Sequence, residues 1–543
     1  MSDEIISSAG GTHCALQRSV TKRRRVLIAA LVTAGALIPL GIIAAARIPF
    51  SSDILRTRLI DALEQRLDVD ADLESLTLRF HPSLRAVGKG LVLRSKSRSG
   101  VPPLIQVSEF TVEANLSGLW NRQVRLVKLN GLRIQIPPDD DKVESHDTPP
   151  ASSSSGHSTQ PAFLRQIVIN DLEAPDSELT ILRSDPSKPP RVWSMHTLHV
   201  QRVGFDTRMQ FETTLTNALP PGEIKAAGTF GPWQNEDPGR TALEGQFTFD
   251  RADLSVFNGI KGTLSAAGTF TGAIDRIDIT GHTETPDFVV NTGGHPVPLA
   301  TSYHAIVDAT NGNTTLDPVD AKFLDTSITA RGGVYEQPKA NGRVIRLNVS
   351  IDGGRLEDIM RLAVPASRAP MNGALRLNTT FVIPPGPRDI VDKLQLDGRF
   401  SIQRGKFSDA DVQKKINELS RRARARMEEE PVAQPVGSNF DGRFALGNGR
   451  LALPTVTFDV PGALVELHGQ YGMKREDIAF DGNLYMDAKI SQTVTGFKSF
   501  LLKAIDPWFR RNGKTVVPLR ISGSRADPKF GVDVGRALRR ASN

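Results

Sequence analysis

The chain has 543 residues, a formal net charge of +7 at neutral pH, 46 glycines and 35 prolines. This length predicts several domains or one long repetitive structure, and the glycine and proline content favours strands and turns over long helical bundles. The basic residues are scattered and no aromatic ladder interleaves with them, which argues against nucleic acid as a partner. The only cysteine is Cys14, so neither a disulfide nor a thiolate metal site is expected in the rest of the chain.

An uncharged apolar run over residues 26–46 follows directly on Lys22, Arg23, Arg24 and Arg25. A helix of this length, rising about 1.5 Å per residue, crosses a hydrocarbon core of about 30 Å. Cations favour the cytoplasmic side of a membrane, so these residues are the expected topology determinants. We expect a single-pass anchor with a cytoplasmic N-terminus and the bulk of the chain on the far side. A cleaved signal peptide is the alternative, although its apolar core is usually only about 7–15 residues long.

Composition divides the chain into segments with different expected structures. They are a cytoplasmic tail (1–21), a transmembrane signal anchor (22–47), a helix followed by strands (48–136), a disordered Ser-, Pro- and Asp-rich loop (137–162), a strand-rich stretch (163–410), a charged helix (411–432) and a second strand-rich region (433–543). The loop is expected to lack structure because almost no apolar residue is available there to bury.

The first predicted helix outside the anchor covers residues 54–67, where apolar residues recur at helical spacing behind Ser52 or Asp53 as a cap. Two interpretations of its apolar face stay open, namely packing on the protein and contact with lipid. A further helix over 497–511 is also amphipathic. Its apolar side carries Phe497, Phe500, Leu501, Ile505 and Trp508. That helix can lie in a bilayer interface or cap the end of a sheet.

Most of the remaining chain alternates apolar and polar residues with a period of two, which predicts strands with one buried and one wet face. The candidate apolar side chains are Leu76, Leu78, Phe80, Phe110, Val112, Leu132, Ile134, Phe247, Phe249, Ile345, Leu347, Val349, Leu394, Leu396, Phe400, Val456 and Phe458. Asp-Gly sequences at 352–354 and 481–483 predict turns. The sequence AAGTF occurs at 226–230 and again at 266–270, a faint sign of repeated hairpins.

Catalytic motifs are absent from the sequence, which has no G-x-S-x-G, H-E-x-x-H or Walker loop. Asp68, Asp70 and Asp72 begin like a calcium loop. Leu73 and Arg79, however, stand where such a loop needs glycine and a bidentate acid. We therefore expect a protein that is not an enzyme and uses no metal or other cofactor.

A long sheet with one apolar face must cover that face. A second sheet would seal it in a sandwich. Alternatively, the face could stay open as a groove, which suits acyl chains whose headgroups remain in water. Strand parity alone does not decide which faces point inward.

Four stretches of the chain resemble the AsmA-like family, TamB-related envelope proteins of double-membraned bacteria. They are residues 73–96, 102–136, 394–424 and 514–534. The resemblance implies a repeating β-groove, that is, an elongated curled antiparallel sheet with one N-terminal transmembrane helix and a few short capping helices. It places the anchor in the inner membrane and most of the chain in the periplasm.

The functional implication of this resemblance is a protein that binds or conducts phospholipids towards the outer membrane and supports its homeostasis. The implied partners are membrane phospholipids, the inner membrane and other envelope proteins, including those of the outer membrane. The alternative is a structural or assembly factor for outer-membrane biogenesis that acts through protein contacts and carries no lipid.

Overall fold

The computed structural model describes most of the chain from Ser52 onwards. The described residues are 52–67, 69–79, 83–96, 102–115, 117–118, 121–136, 167–182, 189–204, 206–234, 236–290, 294–337, 342–365, 367–386, 388–426, 435–493, 510–511, 513–524 and 527–532. The predicted tail and anchor over 1–47, the loop over 137–162 and the apolar residues of the helix over 497–511 lie outside them. Among the described residues, no helix has both the length and the apolar character needed to cross a membrane.

The described chain is mostly β, as predicted, and short helices interrupt its strands. The strands are β1 Val69–Asp72, β2 Ser75–Arg79, β3 Leu84–Ser95, β4 Ile105–Ala114, β5 Gln123–Ile136, β6 Val168–Glu173, β7 Ser177–Ile181, β8 Arg191–Val203, β9 Met209–Thr216, β10 Glu223–Phe230, β11 Ala242–Asp253, β12 Ile260–Lys261, β13 Thr263–Ala273, β14 Arg276–Val290, β15 Val297–Asp308, β16 Asn313–Phe323, β17 Thr326–Glu336, β18 Arg343–Arg355, β19 Met371–Ile383, β20 Gln395–Phe407, β21 Ser438–Gly447, β22 Arg450–Val460, β23 Ala463–Gly472, β24 Asp477–Met486, β25 Arg510–Arg511, β26 Lys514–Ser524 and β27 Pro528–Val532. The α-helices are α1 Ser52–Leu67, α2 Leu356–Ala363, α3 Ile390–Lys393 and α4 Ala410–Ala423.

The described elements fall into two compact units. The first comprises residues up to 252 together with 265–281 and 306–312, and the second comprises 253–264, 282–305 and 313–543.

In the first unit, β3 pairs antiparallel with β1, β2 and β4, and β4 pairs with β5. Strand β5 then pairs in parallel with β6 and β7, which both pair with β8, and an antiparallel run continues through β9, β10 and β11. Helix α1 packs on the early strands through Leu55, Leu59 and Leu63, which recur at helical spacing and are buried. Leu55, Leu59 and Leu63 thus pack on the protein, whereas Ile54 at the start of the same helix is exposed.

In the second unit, consecutive strands from β16 to β24 pair antiparallel, each with the next in sequence. Strand β26 continues the order by pairing with β24 on one side and with β25 and β27 on the other. This meander places the period-two pattern of every strand in register with its neighbours, so residues that face each other across strands share one side of the sheet.

Both Asp-Gly turn predictions are wrong. Gly353 lies within β18 at a φ of 76°, where the pairing with β19 shifts register between Ile351 and Gly354. The glycine therefore makes a β-bulge, which bends the strand without ending it. Gly482 lies in the middle of β24, where a Cβ would stand 2.0 Å from the carbonyl oxygen of Glu466 on the neighbouring strand. Close approach of two backbones, and not a turn, requires glycine there.

The helix bounds in the C-terminal half also need correction. Helix α4 ends at Ala423, earlier than the predicted 432, and Ala425 just beyond it has a φ of 58°. The predicted helix over 497–511 cannot include its last two residues, because Arg510 and Arg511 pair as strand β25 with Thr515 and Lys514. Gly513, at a φ of 82°, provides the tight hairpin that this pairing needs.

Candidate functional site

The apolar face of the second unit consists of rows of residues that lie opposite one another on successive strands. The leucine row comprises Leu347, Phe381, Leu396, Leu446, Leu451, Tyr471 and Ile478. The glycine row comprises Ile351, Leu377, Phe400, Gly442, Val456, Leu467, Gly482 and Leu519. The phenylalanine row comprises Leu375, Ile402, Phe440, Phe458, Val465, Leu484 and Val517. The apolar surface is therefore continuous from β18 to β24, and two of its rows extend to β26.

The opposite face of the same strands is polar and charged. Asn348 lies opposite Thr380, and Arg399 lies opposite Arg443. Ion pairs tie this face together, for example Arg376 Nε to Asp352 Oδ1 at 2.9 Å. The strands that carry the rows therefore have one wet face and one apolar face, as the period-two pattern predicted.

Two helices close one end of the apolar face. Helix α2 contributes Leu356 to a buried cluster that includes Leu375 and Ile402 of the phenylalanine row. Helix α4 contributes Ala423, with Ile416 and Leu419 packed alongside, to a cluster that also receives Phe458, Leu484 and Val517. Val412, near the start of this helix, is exposed. The phenylalanine row is thus the sealed margin of the face.

The leucine row at the other margin is half-buried and belongs to none of the buried clusters formed by the described residues. Leu396 and Ile402 stand about 20 Å apart along β20, at about 3.4 Å per residue. An acyl chain spans one leaflet of a hydrocarbon core of about 30 Å, or about 15 Å. The strip from the covered to the uncovered margin is therefore long enough to hold an acyl chain laid along a strand.

Glycines in the glycine row let neighbouring side chains lie flat on the sheet. A Cβ at Gly442 would stand 2.8 Å from Cε1 of Phe400, which faces it across the strands. A Cβ at Gly482 would stand 2.8 Å from Cδ2 of Leu467, in the same arrangement. The apolar face is consequently smooth along this row, because ring and methyl groups fill the places that the glycines leave empty.

The first unit carries a smaller apolar face of the same kind on β9, β10 and β11. Phe247 lies opposite Ala226 and Phe249 lies opposite Ile224, and all are half-buried. The rings of Phe211 and Phe270 stack with centroids 6.5 Å apart. Gly245 is part of this arrangement, because a Cβ there would stand 2.7 Å from Cζ of Phe270.

The AAGTF repeat has a structural explanation in this unit. Its two glycines, Gly228 on β10 and Gly268 on β13, each approach a glycine of another strand, with hypothetical Cβ atoms 2.7 Å from Cα of Gly245 and 3.0 Å from Cα of Gly281. The repeat therefore marks two places where backbones approach closely under phenylalanine rings.

The candidate side chains near the N-terminus have a different environment. Phe110, Val112, Leu132 and Ile134 are buried in the core beneath α1, together with Leu76, and Leu78 packs against that core. These residues form no open surface, because they are buried in one cluster with Leu55, Leu59 and Leu63 of α1. Sequence alternation could not reveal this, since a covered strand and an uncovered strand have the same period.

The other candidates lie where the alternation placed them, with two exceptions. Ile345, Leu347, Val349, Leu396, Phe400, Val456 and Phe458 all share the apolar face of the second unit. Leu394 precedes β20, and Phe80 lies outside the described residues. The apolar face also includes four residues that were not predicted, although the same alternation in β19 and β21 signals them, namely Leu375, Leu377, Phe381 and Phe440.

Ionisable groups with displaced pKa values lie away from the apolar rows. The hydrogen bond and charge of Lys225, whose Nζ is 3.0 Å from Oε1 of Glu223, lower the pKa of that carboxyl. Burial raises the pKa of Tyr303 on β15. Within the described ranges, no group of His, Cys, Asp and Glu side chains is placed to hold a metal ion.

Comparisons with known proteins gave no match, whether to a family model, to a curated protein or to a solved structure.

Proposed function

We propose that this chain is an inner-membrane-anchored periplasmic protein that binds or conducts phospholipids in an apolar β-groove towards the outer membrane and supports its homeostasis. The continuous apolar face of the second unit, closed by helices at one margin and half-exposed at the other, is the observation that carries the proposal. A contiguous apolar surface of this extent needs an occupant in water. Burial of an acyl chain gains about 0.8 kcal/mol per methylene, so a single chain supplies enough free energy for binding.

Membrane attachment in this proposal comes from the apolar run over 26–46 and its preceding cations. The resemblance to AsmA-like proteins supplies the direction, from the inner membrane across the periplasm. The apolar rows would then line a groove, and the polar face would remain in water.

The adjacent residues Leu396 and Asp397 provide a direct test, because they occupy opposite faces of β20. A photo-crosslinking phenylalanine analogue is placed at either position in the full chain, the cells are irradiated, and the purified protein is analysed by mass spectrometry. We expect phospholipid adducts from position 396 and none from position 397. Equal yields at the two positions, or adducts with proteins alone at position 396, would rule out a lipid-binding face.

A second candidate function is a structural or assembly factor that acts through protein contacts. It is favoured by the packing of α1 and strands β1 to β5, called here the N-terminal module. Its core is fully closed, with Phe110 0% exposed beneath α1. In that case the apolar rows would be covered by another protein, and crosslinks from position 396 would yield protein adducts.

A further inference from the structure

The polar face of the second unit contains a cavity that the lipid proposal does not use. It lies across β17 to β21 and has a volume of about 520 Å³. Its lining includes Asn348, Asn378, Thr380, Asp397, Arg399 and Arg443. The cavity is therefore built from amide, hydroxyl and charged groups, on the side of the sheet away from the apolar rows.

Two arginines face each other within this lining. Arg399 on β20 is the direct cross-strand partner of Arg443 on β21, and both are exposed. Directly opposed side chains stand about 4.5–5.5 Å apart at Cβ, and like charges in this position destabilise a sheet. Asp397 and Asp441 lie on the same face, each two residues from one of the arginines, and form no ion pair with them. An anion between the two guanidinium groups would relieve the repulsion that remains.

Several arginines on this face have acidic partners, whereas these two form no ion pair with a described carboxylate. Arg331 Nε is 2.8 Å from Oδ1 of Asp317, and Arg376 Nε is 2.9 Å from Oδ1 of Asp352. Both pairs occupy the same face as Arg399 and Arg443. Arg346, exposed on β18 of the same face, likewise forms no ion pair within the described ranges. Arg399 and Arg443 differ from it in standing directly opposite each other within the cavity.

Guanidinium groups bind phosphate oxygens through paired, charge-assisted hydrogen bonds. The neighbouring Asn378 and Thr380 offer donors and acceptors, and the Asp397 carboxylate offers an acceptor that suits hydroxyl groups. We propose that this cavity binds a water-soluble phosphate monoester of a polyol, with the phosphate between Arg399 and Arg443 and the hydroxyls towards Asn378 and Asp397. This site is independent of the proposed lipid function. A lipid headgroup is the less favoured source of the same chemistry, because the lining offers little apolar surface for acyl chains.

Titration calorimetry of the purified full chain tests this with three probes, namely glycerol 3-phosphate, inorganic phosphate and glycerol. We expect glycerol 3-phosphate to bind more tightly than inorganic phosphate and glycerol to give no signal. Arg399→Gln and Arg443→Gln should each weaken glycerol 3-phosphate binding by about tenfold or more, the loss of a charge-assisted contact. Arg450→Gln removes an exposed arginine from the same unit outside the cavity and should leave the affinity within about twofold.

The exposed positions of Arg399 and Arg443 make both variants compatible with folding, and circular dichroism of each variant checks this directly. Equal loss of affinity in all three variants would indicate a net-charge effect and overturn the site. Binding of phosphatidylglycerol vesicles that depends on Arg399, without binding of the soluble ester, would overturn it as well. An affinity for glycerol 3-phosphate no greater than that for inorganic phosphate would refute the polyol part of the assignment.

Discussion

The ring of Phe110 lies directly on Gly88, its partner across strands β3 and β4. A Cβ at position 88 would stand 2.2 Å from Cζ of that ring. Phe110 is fully buried beneath α1, in the core that also holds Leu59 and Leu63. This contact explains why a residue without a side chain stands in the middle of a well-packed strand.

Gly88→Ala should therefore destabilise the first unit by about 1–3 kcal/mol, because the ring has no free space into which it could move. Gly447→Ala is the matched control, since a Cβ there would meet nothing within 4 Å. Chemical denaturation followed by circular dichroism gives the free energy of unfolding of both variants. Similar values for the two would show that the ring can leave Gly88 at little cost.

Phe247→Asp distinguishes an open apolar face from a sealed core. Phe247 is half-buried on the apolar face of β11 in the first unit. If that face binds lipid, the variant should co-purify with less phospholipid and remain folded. A sealed core would instead lose several kcal/mol of stability from a buried, unpaired charge. Gln246→Asp, on the exposed side of the same strand, is the control. Lipid mass spectrometry and thermal denaturation of the full chain together separate the two cases.

Glu113→Gln should lower the stability of the N-terminal module by about 1–2 kcal/mol. Glu113 is only 4% exposed and forms ion pairs with both Arg85 and Arg125. Removing its charge leaves two arginines beside a neutral amide. Because both arginines are themselves exposed to solvent, the loss of stability stays moderate. Glu109→Gln is the control, because that carboxylate lies 3.8 Å from Lys89 in an exposed pair. The free energy of unfolding of Glu109→Gln should change by less than about 0.5 kcal/mol.

Thr326→Val should destabilise the second unit by about 1–3 kcal/mol, the cost of a buried polar group without its partner. The Thr326 hydroxyl donates to Oδ2 of Asp358 at 2.7 Å and accepts from the Arg355 backbone N–H at 2.9 Å. Thr326 is fully buried, and Asp358 is 6% exposed at the start of α2. Thr457→Val removes a hydroxyl that bonds in an exposed position and should cost far less. Urea denaturation measures the stability of both variants, and equal unfolding midpoints for Thr326→Val and Thr457→Val would contradict this role for Thr326.

The alternation of apolar and polar residues was sufficient to place strands and their faces. Ile345, Leu347 and Val349 share one side of β18, and Val456 and Phe458 share one side of β22, as their spacing indicated. Local glycine signals were less reliable, since Gly353 makes a bulge and Gly482 a close backbone approach. In both places the pairing of neighbouring strands outweighed the local preference of Asp-Gly for a turn.

Whether an apolar face is covered depends on contacts distant in sequence, which no local period encodes. Phe110 and Phe400 come from strands with the same alternation, yet one lies under α1 and the other on a half-exposed face. The opposition of Arg399 and Arg443 was equally hidden, because it depends on the register between β20 and β21. The bulge between Ile402 and Gly405 that accompanies this register has no clear sequence signal.

Within the meander from β16 to β24, each strand pairs with the next one in sequence. Such an order needs no long-range crossover, so a hairpin can be gained or lost during evolution without disturbing the pairing of the others. Strands must then be gained or lost in pairs, because an odd number would reverse the direction of every later strand. Relatives of this chain should accordingly differ in length by whole hairpins, while the sides of the sheet keep their character.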